Sequence, residues 1–396
     1  MVLALASGAA AAAEATEAPL AAIRAELELV RAEASQHTET RGASQRLTSV
    51  KHRLREWVES QLVEVPSDPN EPGGSDVALT RRLNAELSGE HLFAPRDASA
   101  GDEWTAIGFL GEVRLAYRLR QSFLVLTTAT VVNCGSDESA YLYRRQGGEW
   151  KRIWETEQNT YTKAGYGVQQ ILAVLVSPPF DLASPLVLTL GTQPWCASNW
   201  HNVYVRLWRA GSSTQDARLL LDRSEFAYLG AHDEPVQGSV GRSDALIEYT
   251  VASIDSEVHS RERVIHYEVM PEGVERVGPI ALSPRDFVEE WLGEPWRESR
   301  RWSEPSALAA LERVHAQPRG NEFICPTRHC RPPDVWQVGL GSADGSRPPT
   351  YYLVRWRPPY DFSMLRASTR QAPECTEEDP QADAGRTLFP VQEWRE

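Results

Sequence analysis

Two segments of the sequence, 62 residues apart, carry the same pattern without a gap. The matched positions of the first copy are Leu124, Val125, Leu126, Thr127, Thr130, Cys134, Ser136 and Asp137. Those of the second copy are Leu186, Val187, Leu188, Thr189, Thr192, Cys196, Ser198 and Asn199. After each cysteine come a polar turn and an aromatic, arginine-containing strand pattern. A unit repeated at this spacing predicts successive copies of one supersecondary structure.

The repeat defines the expected fold class, which is mainly β with α segments. About 60 residues per unit hold three or four antiparallel strands, so we expect a repeated antiparallel sheet. A propeller-like arrangement is the first interpretation, and a duplicated β-sandwich is the alternative. Neither the WD nor the kelch pattern fits the sequence, so the number of blades and the closure of a ring are left open.

Composition shifts divide the chain into six segments. Apolar residues at helical spacing precede a stretch rich in Pro, Gly and Ser, strand patterns follow, and the C-terminus is acidic. The expected segments are a signal segment at 1–15, a helical hairpin at 16–65, a linker at 66–76, a repeat-containing β region at 77–282, a mixed helix and hairpin region at 283–370, and a loose acidic tail at 371–396.

The predicted helical hairpin carries a narrow apolar stripe on each helix. In the first helix the stripe residues recur at alternating spacings of three and four, as Leu20, Ile23, Leu27, Val30 and Ala34. Such a stripe packs on its own domain or binds a partner helix. We favour packing on its own domain. A short helix from about Val77 to Leu92 is expected after the linker.

Near the C-terminus, a short helix is delimited at both ends by its sequence. Ser283 is a good N-cap, Pro284 suits the first helical position, and Gly293 ends the pattern. A second short helix is expected from Ser303 to about His315, followed by a hairpin that joins Val335–Leu340 to Tyr351–Trp356.

Charge and the N-terminal segment bear on compartment and partners. The chain of 396 residues has a net charge of −14, which argues against a nucleic-acid-binding role. The Ala-rich start, with small residues at Ala11, Ala13 and Ala15, is typical of a secretory signal. No later run is long and apolar enough for a transmembrane helix. We therefore expect a periplasmic or secreted bacterial protein.

Five cysteines complete the argument for export. Cys325 and Cys330 enclose a short loop, which predicts a disulfide between them. Cys134 and Cys196 hold equivalent places in the two repeats, which predicts a second bridge if their loops meet. Cys375 is then the unpaired thiol. No zinc-ribbon spacing is present, so neither a metal nor a cofactor is expected.

No catalytic motif is found in the sequence. It contains no nucleophile elbow, no phosphate-binding loop and no HExxH. An enzyme therefore requires residues that converge only in three dimensions, and the candidates are His201, Asp255 and His259. We lean toward a chain that is not an enzyme.

One loop combines aromatic and polar side chains in the manner of a binding site. Trp195, Asn199, Trp200 and His201 surround the cysteine of the second repeat. Indole rings stack on sugars or peptides, and amide and imidazole groups add hydrogen bonds. The alternative is that the two tryptophans fill a gap between repeats.

Three functional classes follow from these patterns. The first is an exported, non-catalytic binding protein of the envelope with a protein or glycan partner. The second is a hydrolase-like enzyme with a site around His201, Asp255 and His259. The third is a structural or assembly protein that acts through an exposed stripe on the N-terminal helices.

Overall fold

The computed structural model describes most of the chain in thirteen stretches. These are residues 19–33, 43–63, 75–94, 107–118, 122–132, 135–159, 168–178, 184–193, 198–229, 236–256, 260–319, 322–357 and 360–379. The chain forms two compact units, Met1–Glu225 and Phe226–Glu396. The boundary lies within one strand, Arg218–Tyr228. The two units are described in turn.

Three α-helices come first in the described part of the first unit. They are α1 (19–33), α2 (Ala43–Leu62) and α3 (Asp76–Gly89). Arg46, near the start of α2, forms ion pairs with Glu26 and Glu33 of α1, so the end of α1 lies beside the start of α2. The Ser75 hydroxyl caps α3 by accepting a hydrogen bond from the Ala78 N–H.

The apolar stripe of α1 is buried. Leu20, Ile23, Leu27 and Val30 are each at most 4% exposed, and the first three share a core with α2, α3 and one face of the first sheet. The stripe thus packs within its own unit, as favoured from the sequence. The predicted fifth member, Ala34, lies outside the described residues.

Antiparallel strands form the rest of the first unit. They are β1 (Arg114–Arg118), β2 (Phe123–Val132), β3 (Gly135–Gln146), β4 (Glu149–Thr156), β5 (Gln170–Val176), β6 (Leu186–Thr192), β7 (Trp200–Arg209) and the first part of β8 (Arg218–Tyr228). The first sheet has the order β1-β2-β3-β4, and a second run has the order β5-β6-β7-β8. The described fold is therefore mainly β, with antiparallel sheets.

The two copies of the sequence pattern occupy the same place in these two runs. Leu124–Thr127 lies in β2 and Leu186–Thr189 lies in β6, and each of these strands pairs on both sides with antiparallel neighbours. The aromatic, arginine-containing segment that follows each copy forms β3 in the first run and β7 in the second.

The runs face each other across an apolar layer within the first unit. Phe123 and Leu142 of the first sheet share a core with Val187 of β6 and Trp208 of β7. Trp154 of β4 meets Trp208 edge to face, with ring centroids 6.3 Å apart. The first sheet therefore lies between the helices on one face and the second run on the other.

The described part of the second unit contains two groups of strands and three short α-helices. The strands are β9 (Val236–Val240), β10 (Asp244–Ala252), β11 (Ser260–Met270), β12 (Gly273–Val277), β13 (Glu322–Ile324), β14 (Arg328–Cys330), β15 (Val335–Ser342), β16 (Thr350–Arg357), β17 (Asp361–Ser368) and β18 (Cys375–Glu378). The helices are α4 (Pro284–Gly293), α5 (Trp296–Ser299) and α6 (Leu308–His315).

Helix α4 begins and ends where the sequence predicts. The Ser283 hydroxyl accepts a hydrogen bond from the Asp286 N–H, and Pro284 occupies the first turn. Phe287 and Trp291 of α4 are fully buried against β15, β16 and β17. This layer of helix on sheet is the core of the second unit.

The predicted Cys325–Cys330 disulfide is wrong. Cys330 is bonded to Cys375, and Cys325 is a free thiol. The reason is strand register: β14 pairs with β18 so that Cys330 lies opposite Cys375, whereas the Cys325 N–H is bonded to the Gly339 carbonyl of β15. Residues 375–378 of the segment predicted to be loose therefore form a strand. Cys134 and Cys196 lie outside the described residues.

Within the described residues, no helix is long and apolar enough to cross a membrane.

Candidate functional site

The predicted binding residues that can be placed lie at the end of the β6–β7 hairpin. Asn199 is exposed, whereas Trp200 and His201, the first two residues of β7, are half-buried. Further along β7, Val203, Val205 and Leu207 are buried on one face, as the alternating sequence pattern predicts. The hairpin end is thus accessible while the strand behind it is packed. Trp195 lies outside the described residues.

Side chains and backbone groups fix the shape of this hairpin end. The Trp200 N–H donates to the Ser198 hydroxyl at 2.9 Å, and the Thr192 hydroxyl donates to the Asn202 carbonyl at 3.0 Å. The His201 Nδ1 lies 3.4 Å from the Gln193 carbonyl. These local bonds hold the first residues of β7 in one conformation.

Trp200 and His201 do not share a face of the strand. Successive side chains of a strand point to opposite faces, so Trp200 lies on the face of Tyr204 and Arg206, and His201 lies on the face of Val203. Arg206 covers the Tyr204 ring at 5.1 Å. Trp200, Tyr204 and Arg206 therefore form a row of aromatic and polar groups on one face of β7.

Asp255 of the predicted three-dimensional acid–base site is already engaged in an ion pair. Its carboxylate is 4% exposed and accepts from Arg285 of α4 at 2.5 Å. His259 lies outside the described residues. His201 and Asp255 belong to different compact units.

A buried cluster of arginines and carboxylates surrounds α4 in the second unit. Glu290 is 1% exposed and contacts three arginines from neighbouring strands, Arg261, Arg263 and Arg276, at 2.6 to 2.8 Å. Burial alone would raise the pKa of Glu290, but the positive charges of Arg276, Arg263 and Arg261 hold it well below its usual range. Glu290 is thus ionised and fixes α4 onto β11 and β12.

Asp286, one turn earlier on α4, has the opposite electrostatic character. Burial raises the pKa of Asp286 to about 7, although Arg261 and the Ser283 hydroxyl act in the other direction. Perturbed carboxyl groups of this kind occur at catalytic sites and in structural ion networks. Asp286 faces the network around Glu289 and Arg285, so we assign it to the structural cluster.

A smaller polar network joins α2 to the first sheet. The Lys51 ammonium, 2% exposed, donates to the fully buried Asp137 carboxylate at 2.9 Å. Nearby, Tyr141 donates to Glu157, which also contacts His52 at 2.6 Å. Burial alone would raise the pKa of Glu157, but hydrogen bonds from Tyr141 and Asn159 and the charges of His52 and Arg55 lower it. Each of these charged side chains thus has a partner within the unit.

The second unit also has an open, largely aromatic cleft of about 410 Å³. Its lining residues are Gly278, Pro279, Ile280, Trp302, Tyr360, Asp361 and Phe362. Trp302 and Tyr360 are half-buried, and Asp361 is exposed at its edge. Apolar walls with one polar group are typical of ligand sites.

Sequence reasoning missed both the charged cluster and the cleft. The residues of each come from segments that are distant in sequence. Those of the cleft come from the residues after β12, the turn after α5 and the start of β17. The segment Pro358-Pro-Tyr-Asp-Phe362 combines prolines, aromatic rings and a carboxylate, and is the one local signal for the cleft. Arg261 and Arg263 are 29 and 27 residues from Glu290 in the sequence, so no local pattern indicates that these side chains pair.

Comparison with known proteins found no family model and no curated protein that matches this chain. Among the residues that the structure describes, no group of three or more His, Cys, Asp or Glu side chains is arranged to hold a metal ion.

Proposed function

We propose that this chain is an exported, non-catalytic binding protein of the bacterial envelope with a protein or glycan partner. The observation that carries the proposal is the accessible row of aromatic and polar groups at the end of the β6–β7 hairpin. Asn199 is exposed, and Trp200 and Tyr204 are half-buried above a packed strand. Loops and strand ends on a rigid scaffold are common positions for binding residues. We further propose that the repeated sheets form a propeller-like or duplicated sandwich arrangement.

The test replaces Trp200 and His201 separately by alanine, because the two side chains lie on opposite faces of β7. Each variant is immobilised and exposed to detergent-solubilised envelope from the native host, and captured material is quantified by mass spectrometry and glycan analysis. We expect Trp200→Ala to capture at least about tenfold less of one specific partner than the unmodified chain. An effect of this size is typical of a central aromatic contact. His201→Ala reports on the other face.

Leu219→Ala is the matched control, because Leu219 is 44% exposed on β8 of the same unit. It should retain the partner at the level of the unmodified chain. Thermal melting of all three variants separates binding from folding. Two results would contradict the proposal: unfolding of the Trp200 variant, which would make the side chain a packing residue, or full retention of every captured partner.

A further inference from the structure

We infer that the aromatic cleft of the second unit binds a saccharide ring. The cleft places Trp302, Tyr360 and Phe362 around an open volume of about 410 Å³, with Asp361 exposed at its edge. Sites for small ligands occupy volumes of roughly 300–1,000 Å³. A cleft of this size holds one or two sugar rings. The inference adds a second, separate surface to the proposed binding function.

The chemistry of the lining favours a sugar. A sugar ring presents C–H groups on its faces and hydroxyl groups around its rim, so it stacks on an aromatic side chain while its hydroxyls donate to a carboxylate. Pro279, Ile280 and the three aromatic residues supply the apolar wall, and Asp361 supplies the acceptor. The cleft can thus make both apolar contacts and a hydrogen bond to a single sugar ring.

The charges around the cleft argue against a cationic ligand. Asp361 lies 3.9 Å from Arg357, whose positive charge offsets part of the charge of the carboxylate. The Arg276 guanidinium lies over the Trp302 ring, 5.3 Å from its centroid. The guanidinium already occupies that ring, so the ring is less available to a second cation. A neutral polyol meets neither obstacle.

The cleft walls are held in place before any ligand binds. Arg276, which supports Trp302, is itself fixed by Glu290 at 2.6 Å and Glu294 at 2.5 Å. Phe362 stacks between Phe287 and Trp356, with centroid distances of 5.4 and 5.8 Å. A preformed wall lowers the entropic cost of binding, which matters for weak ligands such as sugars.

The test titrates the full chain with three neutral trisaccharides, cellotriose, maltotriose and triacetylchitotriose. Isothermal calorimetry gives affinity, and saturation-transfer NMR identifies the sugar protons that contact protein. At least one of the three sugars should bind saturably. We expect Trp302→Ala and Tyr360→Ala each to weaken it about tenfold, and Asp361→Asn about fivefold.

Met270→Ala is the control, because Met270 is 41% exposed on β11 and lies outside the lining of the cleft. It should bind the sugar like the unmodified chain. Trp302 packs on the buried Arg276, so Trp302→Ala also tests folding. If that variant unfolds, Asp361→Asn still tests the site, because Asp361 is exposed.

Three outcomes overturn the inference. The first is that none of the three sugars binds, and the second is that sugar binding is unaffected by Tyr360→Ala and Asp361→Asn. The third is binding of phenyltrimethylammonium or a hexaproline peptide in place of sugar, which assigns the cleft to a cation or a polyproline segment. The hairpin site is tested with other variants and by capture of envelope material. A negative result for the hairpin site is therefore distinguishable from a negative result for the cleft.

Discussion

At the scale of single residues, the acidic side chains of α4 show how neighbours decide the protonation of a buried group. Glu290 contacts three guanidinium groups and stays ionised, whereas Asp286, four positions earlier, is dominated by burial and has its pKa raised to about 7. The two carboxyl groups therefore have opposite effects on the pH dependence of stability.

Replacing Asp286 by Asn tests the raised pKa. A carboxyl group whose folded pKa lies above its unfolded value binds more protons in the folded state, so its contribution to stability is lost as the pH rises from about 4 to 7. Asn keeps the bond to Ser283 without ionising. We expect the stability advantage of Asp286→Asn over the unmodified chain to grow by about 2–3 kcal/mol between pH 5 and pH 8. Urea unfolding at the two pH values measures it, and an advantage that is constant or shrinks with pH contradicts the assignment.

Replacing Glu290 by Gln removes the charge shared by three arginines. Breaking a buried ion pair leaves uncompensated charge, and we expect a loss of about 3–5 kcal/mol in the free energy of unfolding. The control is Glu275→Gln, because Glu275 and its partner Arg301 are 58% and 41% exposed. That exposed pair should contribute less than about 1 kcal/mol. Equal losses in the two variants would show that burial of the cluster has no energetic consequence.

At the scale of elements, the N-terminal helices derive their stability from the face that α1 buries. Leu27 and Leu29 are two positions apart on the same helix, but Leu27 is fully buried and Leu29 is 44% exposed. The pair separates packing from helix propensity because both sites receive the same change.

Leu27→Ala should lower the free energy of unfolding by about 3 kcal/mol, since it leaves a cavity in the core shared with the first sheet. Leu29→Ala should change it by less than about 0.5 kcal/mol. Denaturant unfolding followed by circular dichroism compares them. Similar values for the two variants would mean that the stripe is not packed in its own unit.

The disulfide attaches β18 to β14 across a sequence separation of 45 residues. Closing a loop of that length stabilises a fold by roughly 4 kcal/mol in the chain-entropy description. Cys375→Ser should lose most of this stabilisation, and its free energy of unfolding should no longer change when reductant is added. Cys325→Ser, which alters the half-buried free thiol, should keep the bridge and its response to reductant. Loss of the bridge in the Cys325 variant would contradict the pairing.

Elements with local signals were predictable from the sequence. Helix α4 carries its start and stop in Ser283, Pro284 and Gly293, and β7 shows its buried face by simple alternation.

The partner of Cys330 was not predictable, because sequence proximity favoured Cys325 whereas the pairing depends on the register of β14 and β18. The cleft was missed for the same reason, since Pro279, Trp302 and Tyr360 meet only through tertiary packing. At the proposed hairpin site, the aromatic and polar composition was visible, but the assignment of Trp200 and His201 to opposite faces required the strand boundary.

At the scale of the whole molecule, the Cys330–Cys375 disulfide bears on the compartment in which the protein works. Structural disulfides persist in oxidising compartments and are uncommon in a reducing cytoplasm. The described structure is thus compatible with the proposed export, and the redox state of the cysteines in the native host provides a test.

We expect the chain in the periplasmic or culture fraction of the native host, with Cys330 and Cys375 protected from alkylation before lysis. Cys325 should be modified once the protein is denatured, because burial raises the pKa of its thiol and slows reaction in the folded state. Peptide mapping after stepwise labelling measures all three. A cytoplasmic fraction in which Cys330 and Cys375 are both free would contradict export.

The Cys330–Cys375 bridge also has a consequence for biosynthesis. While the chain emerges, Cys330 meets Cys325 long before Cys375 has been made, and short loops close faster than long ones. Where Cys325 and Cys330 are oxidised before Cys375 is made, the link between them is non-native, and thiol–disulfide exchange replaces it after β18 docks. Cys325 is the leaving thiol of that exchange. We therefore expect the native bridge to form faster with a disulfide isomerase present than with an oxidant alone.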